Sequence, residues 1–239
     1  MSSTTPTPPP SSLTERRKTE TRMEIARAAA GLFVRHGLRA TRAEDIAQAA
    51  GIAPRTFYRY FATKEEAVAP LYAAGAQRWV EAVRAAPPDA GVLHALEQGV
   101  RHTLTPGVGV SASSWEWVRT LLRLAEATPS LRRVWAEVCQ ASERLLGEVL
   151  AERVTRAGAP GAAGVPTVSG EGHDNVAADP ERLSFATPEL RFAAAVASAA
   201  VRAALEAWAA GDSPAEGPDG PAELALRNLA ALRDFPWGP

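Results

Sequence analysis

Residues 51–61 read Gly51-Ile52-Ala53-Pro54-Arg55-Thr56-Phe57-Tyr58-Arg59-Tyr60-Phe61. Gly51-Ile52-Ala53 makes a tight break, and Pro54 suits the first turn of a new helix, because its missing N–H would be unpaired there anyway. A short helix is predicted over 54–61. Upstream, Thr41-Arg42-Ala43-Glu44 has the spacing of a capping box, and Ile46, Ala47 and Ala50 follow as a short apolar face. Two short helices joined by a glycine-led turn form a helix-turn-helix, a unit whose second helix fits the major groove of DNA.

Outward from this unit the pattern stays helical. Ile25, Ala29, Leu32 and Phe33 recur at helical spacing within 13–36, and Gly37 follows as a stop. Thr63-Lys64-Glu65-Glu66 opens a longer helix over 63–86, with Pro70 expected to bend it. Further helices are predicted over 90–104, 113–127, 129–156, 188–210 and 221–235. With no strand-like alternation between them, the fold class is all-α, about nine helices. The expected division is a disordered arm over 1–12, a helix-turn-helix domain over 13–62, and a helical domain over 63–239 for ligand binding and dimerisation. A Gly-, Pro-, Asp- and Ser-rich stretch over 157–187 reads as a mobile loop.

Charge supports the same division. Overall the chain is nearly neutral, yet residues 1–65 carry 11 Lys and Arg against 6 Asp and Glu, and the remainder is acidic. The front is therefore the nucleic-acid candidate. Lysine occurs only at Lys18 and Lys64; arginine's planar guanidinium suits phosphates and base edges, although genomic base composition explains the bias equally well. The single cysteine, Cys139, cannot form an internal disulfide, which suits a reducing, cytoplasmic compartment. The Ser/Thr/Pro start has no apolar h-region, and no uninterrupted apolar run approaches the roughly 20 residues of a membrane span. No His/Cys metal spacing, nucleophile elbow or phosphate-cradling glycine loop is present, so neither a metal nor a cofactor is expected and an all-helical small-molecule enzyme is disfavoured.

Individual residues carry two readings each. Tyr58 and Tyr60 are either half-buried aromatics or, beside Arg55, Thr56 and Arg59, part of a groove surface. Thr41 and Arg42 stand at a helix N-terminus, where free N–H groups and the positive dipole end favour a phosphate; Arg42 is otherwise a solvated charge. Arg16, Arg17, Lys18 and Arg22 either track a DNA backbone or simply solvate the first helix. Trp79, Trp115, Trp117 and Trp135, with Val118, Leu121, Leu122, Val138 and Cys139, either line an apolar pocket between helices or form plain core. His102 and Arg119 are candidates to orient a polar ligand head group. The nearly continuous small apolar face with Ala195, Ala199, Ala203 and Leu205, extended by Leu226 and Leu229, reads as a dimer interface.

Residues 21–66, about a fifth of the chain, resemble the tetracycline-repressor (TetR) family through Ala28-Ala29, Leu32-Phe33, Gly37, Ala40-Thr41, Asp45-Ile46-Ala47, Ala50-Gly51-Ile52, Thr56-Phe57-Tyr58, Tyr60-Phe61 and Lys64-Glu65. The resemblance implies that Pro54 and Arg55 approach base edges, while Thr56, Tyr58, Tyr60 and Lys64 hold phosphates. Family members often carry glycine where this chain has Arg55, so that residue is expected to set operator preference. It also implies a homodimer on pseudo-palindromic operator DNA, and a C-terminal receptor for a small-molecule effector that releases the repressor. Residues 123–132 are similar to a subgroup with acyl-CoA-like ligands. An effector-independent or architectural DNA-binding factor is the alternative.

Overall fold

The structure, a computed structural model, describes residues 13–108, 114–158 and 186–237. The expected N-terminal arm and most of the expected 157–187 loop lie outside the described residues. Nine α-helices and one 3-10 turn make up the described residues, with no strand among them.

Helix α1 (Leu13–His36) ends at Gly37, whose φ of +78° closes the helix through Gly37 N–H to the Phe33 carbonyl at 2.9 Å. Helix α2 (Ala43–Ala49) starts one residue later than the capping-box spacing suggests: the Asp45 carboxylate, not Glu44, accepts the Arg42 N–H at 2.8 Å. It ends in a left-handed stop at Gly51 (φ +68°), with Gly51 N–H on the Gln48 carbonyl and Ile52 N–H on the Ala47 carbonyl. Both bonds satisfy carbonyls that a helix end leaves open, and a side chain at a positive φ is strained, so glycine belongs there. Helix α3 (Pro54–Tyr60) follows at once, with Pro54 in its first turn.

A 3-10 turn (Glu66–Val68) then leads into α4 (Ala69–Ala85). The continuous bent helix expected over 63–86 is therefore two pieces, because Pro70 occupies the first turn of α4 and starts it. Thr63 and Glu66 still act as a cap, the Thr63 hydroxyl accepting the Glu66 N–H and the Glu66 carboxylate accepting the Ala62 N–H. The remaining helices are α5 (Val92–Leu104), α6 (Trp115–Ala127), α7 (Pro129–Gly158), α8 (Pro188–Ala210) and α9 (Pro221–Ala230). Helix α7 outlasts its expected end by two residues, and α9 stops five short of 235.

One apolar core joins α1, α2 and α3 through Ile25, Phe33, Ile46, Ala47, Phe57 and Phe61, all buried. Fully burying each of the larger side chains contributes about 1.5–3 kcal/mol. This core does not stop at residue 62; it takes in Val68 and Tyr72 from α4 and Leu121, Leu131 and Val134 from α6 and α7. A second core lies among α4, α5, α7, α8 and α9. There α5 comes so close to α4 that a Cβ on Gly99 would lie 2.8 Å from a Val83 methyl carbon. Arg153 of α7 closes the far end of α4: its guanidinium donates to the carbonyls of Val83, Ala86, Pro87 and Ala90 at 2.8–3.2 Å.

Among the described residues, helix α8 alone is long and apolar enough, by length and composition, to cross a membrane, although Glu189, Arg191, Arg202 and Glu206 interrupt it, so no uninterrupted apolar run of that length occurs in it. It packs instead against α6, α7 and α9. A small-residue helix satisfies both tests because alanine is apolar enough to count and small enough to allow close helix packing.

Candidate functional site

The helix-turn-helix presents its surface by burying the other side of α3. Phe57 is sunk completely and Phe61 almost so, their rings 5.8 Å apart, which turns Pro54, Arg55, Tyr58 and Arg59 outward. Tyr58 is 53% exposed, large for an aromatic ring. Thr56 and Tyr60 are half-buried, and the Arg59 guanidinium lies 5.5 Å from the Tyr60 ring centroid. Arg42 stands exposed before α2, 3.6 Å from Glu44. Arginines and phenols thus share one water-facing surface with a rigid backing, the arrangement that phosphate gripping and base-edge reading require.

Three side chains considered for this surface are used inside the protein. Thr41 is only 2% exposed, and its hydroxyl donates to the Gly37 carbonyl at 2.9 Å. Lys64 reaches back across the turn between α1 and α2, its ammonium donating to the carbonyls of Leu38 and Thr41 at 2.7 Å each. Arg22 donates to the Tyr60 carbonyl at 3.1 Å while its guanidinium lies 4.6 Å over the Phe61 ring. Lys64 and Arg22 therefore fix the two ends of the unit: one holds the approach to α2, the other the C-terminal end of α3, where carbonyls lack helix partners.

Behind this head, α4, α5, α6, α7 and α8 enclose a cavity of about 170 Å3. Seven sequence-nominated residues line it: Trp79, Trp115, Val118, Leu121, Leu122, Trp135 and Cys139. The wall is completed by Tyr72 and Gly75 on α4, and by Ser198, Val201 and Arg202 on α8, none of them nominated from sequence. A signal existed on α4, where Tyr72, Gly75, Ala76 and Trp79 fall on one helical face with small residues between the aromatics.

Four nominated ligand residues lie elsewhere. His102 is exposed and borders an open groove with Met23 and Arg27, while its neighbour Thr103 faces the cavity and donates to the Gly99 carbonyl at 2.7 Å. Arg119 is buried, but stacks 4.3 Å from the Trp208 ring centroid and donates to the carbonyls of Gly211 and Ser213. With Arg123, which donates to the Ala209 and Gly211 carbonyls at 2.6 and 2.7 Å, it caps the C-terminal end of α8. Trp117 is 41% exposed and rests on Gly31 of α1, and Val138 packs on the head's core instead of the cavity.

Apart from Arg78 and Arg202, the residues that line the cavity carry no formal charge. Burial pushes the Cys139 thiol up to about 12, and it keeps the Tyr72 phenol well above its ordinary range. Tyr72 donates its O–H to the Leu121 carbonyl at 2.9 Å, and Trp135 donates its N–H to Glu206 at 2.8 Å.

Of the nominated interface residues, Ala199 and Ala203 are exposed on α8, and Ala195 and Leu226 are half-buried. Leu205 turns to the cavity and Leu229 is fully buried against α8 and α5 within the chain's own core, so neither forms an outer face. Helical rotation explains the split, since residues 199 and 203 are one turn apart whereas 205 falls on the opposite side.

Residues 25–69 match the family described as bacterial regulatory proteins, tetR family. The chain is 31% identical over 156 residues to the HTH-type transcriptional regulator TcmR of Streptomyces glaucescens, covering 63% of this chain and 68% of that one. Among solved structures it is similar to GusR of Salmonella enterica (19% identity, 90% of this chain, 95% of that one, TM-score 0.52). It is likewise similar to the fatty acid degradation regulator FadR of Bacillus halodurans (20% identity, 89% of this chain, 96% of that one, TM-score 0.52). At these identities the structural likenesses concern the fold.

Proposed function

The chain belongs to the TetR family and is a DNA-binding transcriptional regulator, and from that premise we propose that it is a homodimeric, cytoplasmic repressor released from its operator by a small molecule held in the α4–α8 cavity. The observation that carries this reading is the double membership of Tyr72 and Leu121, which line the cavity and also belong to the core that seats α1, α2 and α3. Whatever enlarges or reshapes the cavity acts on the packing behind the reading head. Two heads engage half-sites about one helical turn apart only at the right separation, so a ligand that prefers another arrangement weakens DNA binding by its differential affinity for the two states.

In this reading residues 13–62 are the reading head and residues 63–239 the receptor and dimerisation body. Arg55 reads a base edge, Tyr58, Arg59, Arg42 and the half-buried Thr56 and Tyr60 contribute backbone contacts, and Pro54 sets the approach of α3. The exposed line of Ala199 and Ala203 on α8, with Ala195 and Leu226 at its border, forms the face against which a second copy packs.

The test is selection of bound fragments from random duplex DNA by the full chain, followed by sequencing. The expected result is an inverted repeat with half-sites about one helical turn apart. Enrichment of no sequence above background contradicts operator recognition, and enrichment of an unrepeated single site contradicts the dimeric mode.

A further inference from the structure

Leu71, Gly75 and Arg78 follow one another along a single face of α4, and all three line the cavity. Gly75 lies in the interior of that helix, where glycine is destabilising relative to alanine. Close packing explains Gly31, Gly99 and Gly147, which also lie inside helices: a Cβ on each would stand 2.8–3.5 Å from another side chain. No such contact explains Gly75. Its own helix backbone and sequence neighbours aside, a Cβ there would meet no atom of the described residues within 4 Å. The missing side chain leaves a notch over the backbone of α4 in the cavity wall.

The same stretch of α4 also borders the open groove that holds Met23 and Arg27 of α1. Leu71 and Arg78, one turn before and one turn after Gly75, line both voids, so cavity and groove adjoin at the notch. Leu71 is half-buried there and Arg78 is exposed. Met23, Ala74 and Ala82 give the groove an apolar lining beside Leu71, while its charged groups are two guanidiniums, Arg27 and Arg78, against one carboxylate, Glu81. Arg84 already pairs with that carboxylate at 2.5 Å. The groove therefore favours an anion, whereas inside the cavity the Arg202 charge is balanced by Glu206 at 3.8 Å.

Resting on the reading of this cavity as the effector site, we propose that the effector is an elongated amphiphile with one anionic end, which passes over α4 at Gly75. Its apolar body occupies the box of aromatic rings formed by Trp79, Trp115 and Trp135, and its anion lies in the groove with Arg78 and Arg27. The cavity volume of about 170 Å3 is slightly larger than an apolar cavity of about 150 Å3 that binds benzene, so the body is about one ring in size and the rest leaves by the notch. Arg27 belongs to α1. Such a ligand therefore touches the receptor body and the reading head with one molecule.

Calorimetric titration of the full chain with phenylbutyrate and phenylbutanol tests this. The two compounds share a ring and a chain and differ in the charged end. The expected result is phenylbutyrate binding about tenfold or more tighter than the alcohol. Arg27→Gln is expected to lower phenylbutyrate affinity about tenfold and to leave the alcohol within about twofold. Gly75→Ala is expected to raise the melting temperature by about 1–4 °C and yet to weaken both compounds about tenfold, an opposition that a merely structural glycine does not produce. Equal binding of the two compounds by the wild-type chain overturns the anionic end without any variant having to fold. Undiminished binding by Gly75→Ala overturns the passage over α4, and no binding of either compound overturns the proposal as a whole but not the cavity as an effector site. Phenylbutyrate that binds as expected and leaves affinity for the selected operator unchanged upholds the ligand site and overturns the effector reading.

Discussion

The phenol of Tyr72 on α4 donates to the backbone carbonyl of Leu121 on α6 across 2.9 Å, at the boundary between the internal cavity and the core of the DNA-reading head. The Tyr72 ring also stands edge-on to Trp135, with centroids 5.1 Å apart. One side chain thus links α4, α6 and α7 at the point where the cavity and the core of the helix-turn-helix share packing.

Tyr72→Phe keeps the ring and removes the hydrogen bond. We expect a stability loss of about 1 kcal/mol, seen as a melting temperature lower by about 2–4 °C, and weaker effector-free binding to the selected operator. Because burial raises the phenol's pKa, its donor proton stays in place, and the difference between wild type and variant should be flat across about pH 6 to 9. Identical operator affinity in the two proteins removes Tyr72 from the coupling.

Lys64 ties two carbonyls ahead of α2. Lys64→Met is therefore expected to lower stability by about 1.5–3 kcal/mol while leaving the slope of log affinity against log salt unchanged. If the ammonium instead neutralises a phosphate, that slope falls by about 1. Affinity measured over a salt series separates the two roles.

Arg55 stands exposed in the first turn of α3. Arg55→Ala should cost about 1–3 kcal/mol at the operator and relax preference at one base pair per half-site. Competition against single-base operator variants checks this, and a uniform loss over all sequences contradicts base reading.

Ala199→Arg places a long cation on the exposed face of α8 without touching the chain's own core. Sedimentation should change from dimer to monomer, with operator affinity lost in parallel. A variant that still sediments as a dimer moves the interface elsewhere.

Cys139 lines the cavity with its thiol pushed up to about 12, far above the roughly 8.5 of a free cysteine. A raised pKa keeps the thiolate scarce at neutral pH, so iodoacetamide should alkylate the folded chain at least about a hundredfold more slowly than the denatured one. Comparable rates contradict the burial.

The head was legible because its instructions are local. Gly51 requires a positive φ, Pro54 starts a helix, and Phe57 and Phe61 recur one turn apart, all within eleven consecutive residues. The aromatic box was legible only in part. Trp79, Trp115 and Trp135 sit at helical spacings that any core uses, and nothing nearby distinguishes them from Trp117, which lies outside against α1. His102 and Thr103 illustrate the same limit, since one residue of helix rotation decides which of them faces the cavity.

Sequence alone determined the all-helical class, the helix-turn-helix and its outward Arg55, because backbone propensity and apolar period act over one or two turns. Tertiary structure alone decided what the long cations do. Lys64 finds its carbonyls 23 and 26 residues back, Arg22 finds one 38 residues ahead, and Arg119 reaches residues more than 90 away. A guanidinium or ammonium goes to whichever unpaired carbonyl the fold brings within reach, and helix ends supply such carbonyls only once the helices are packed.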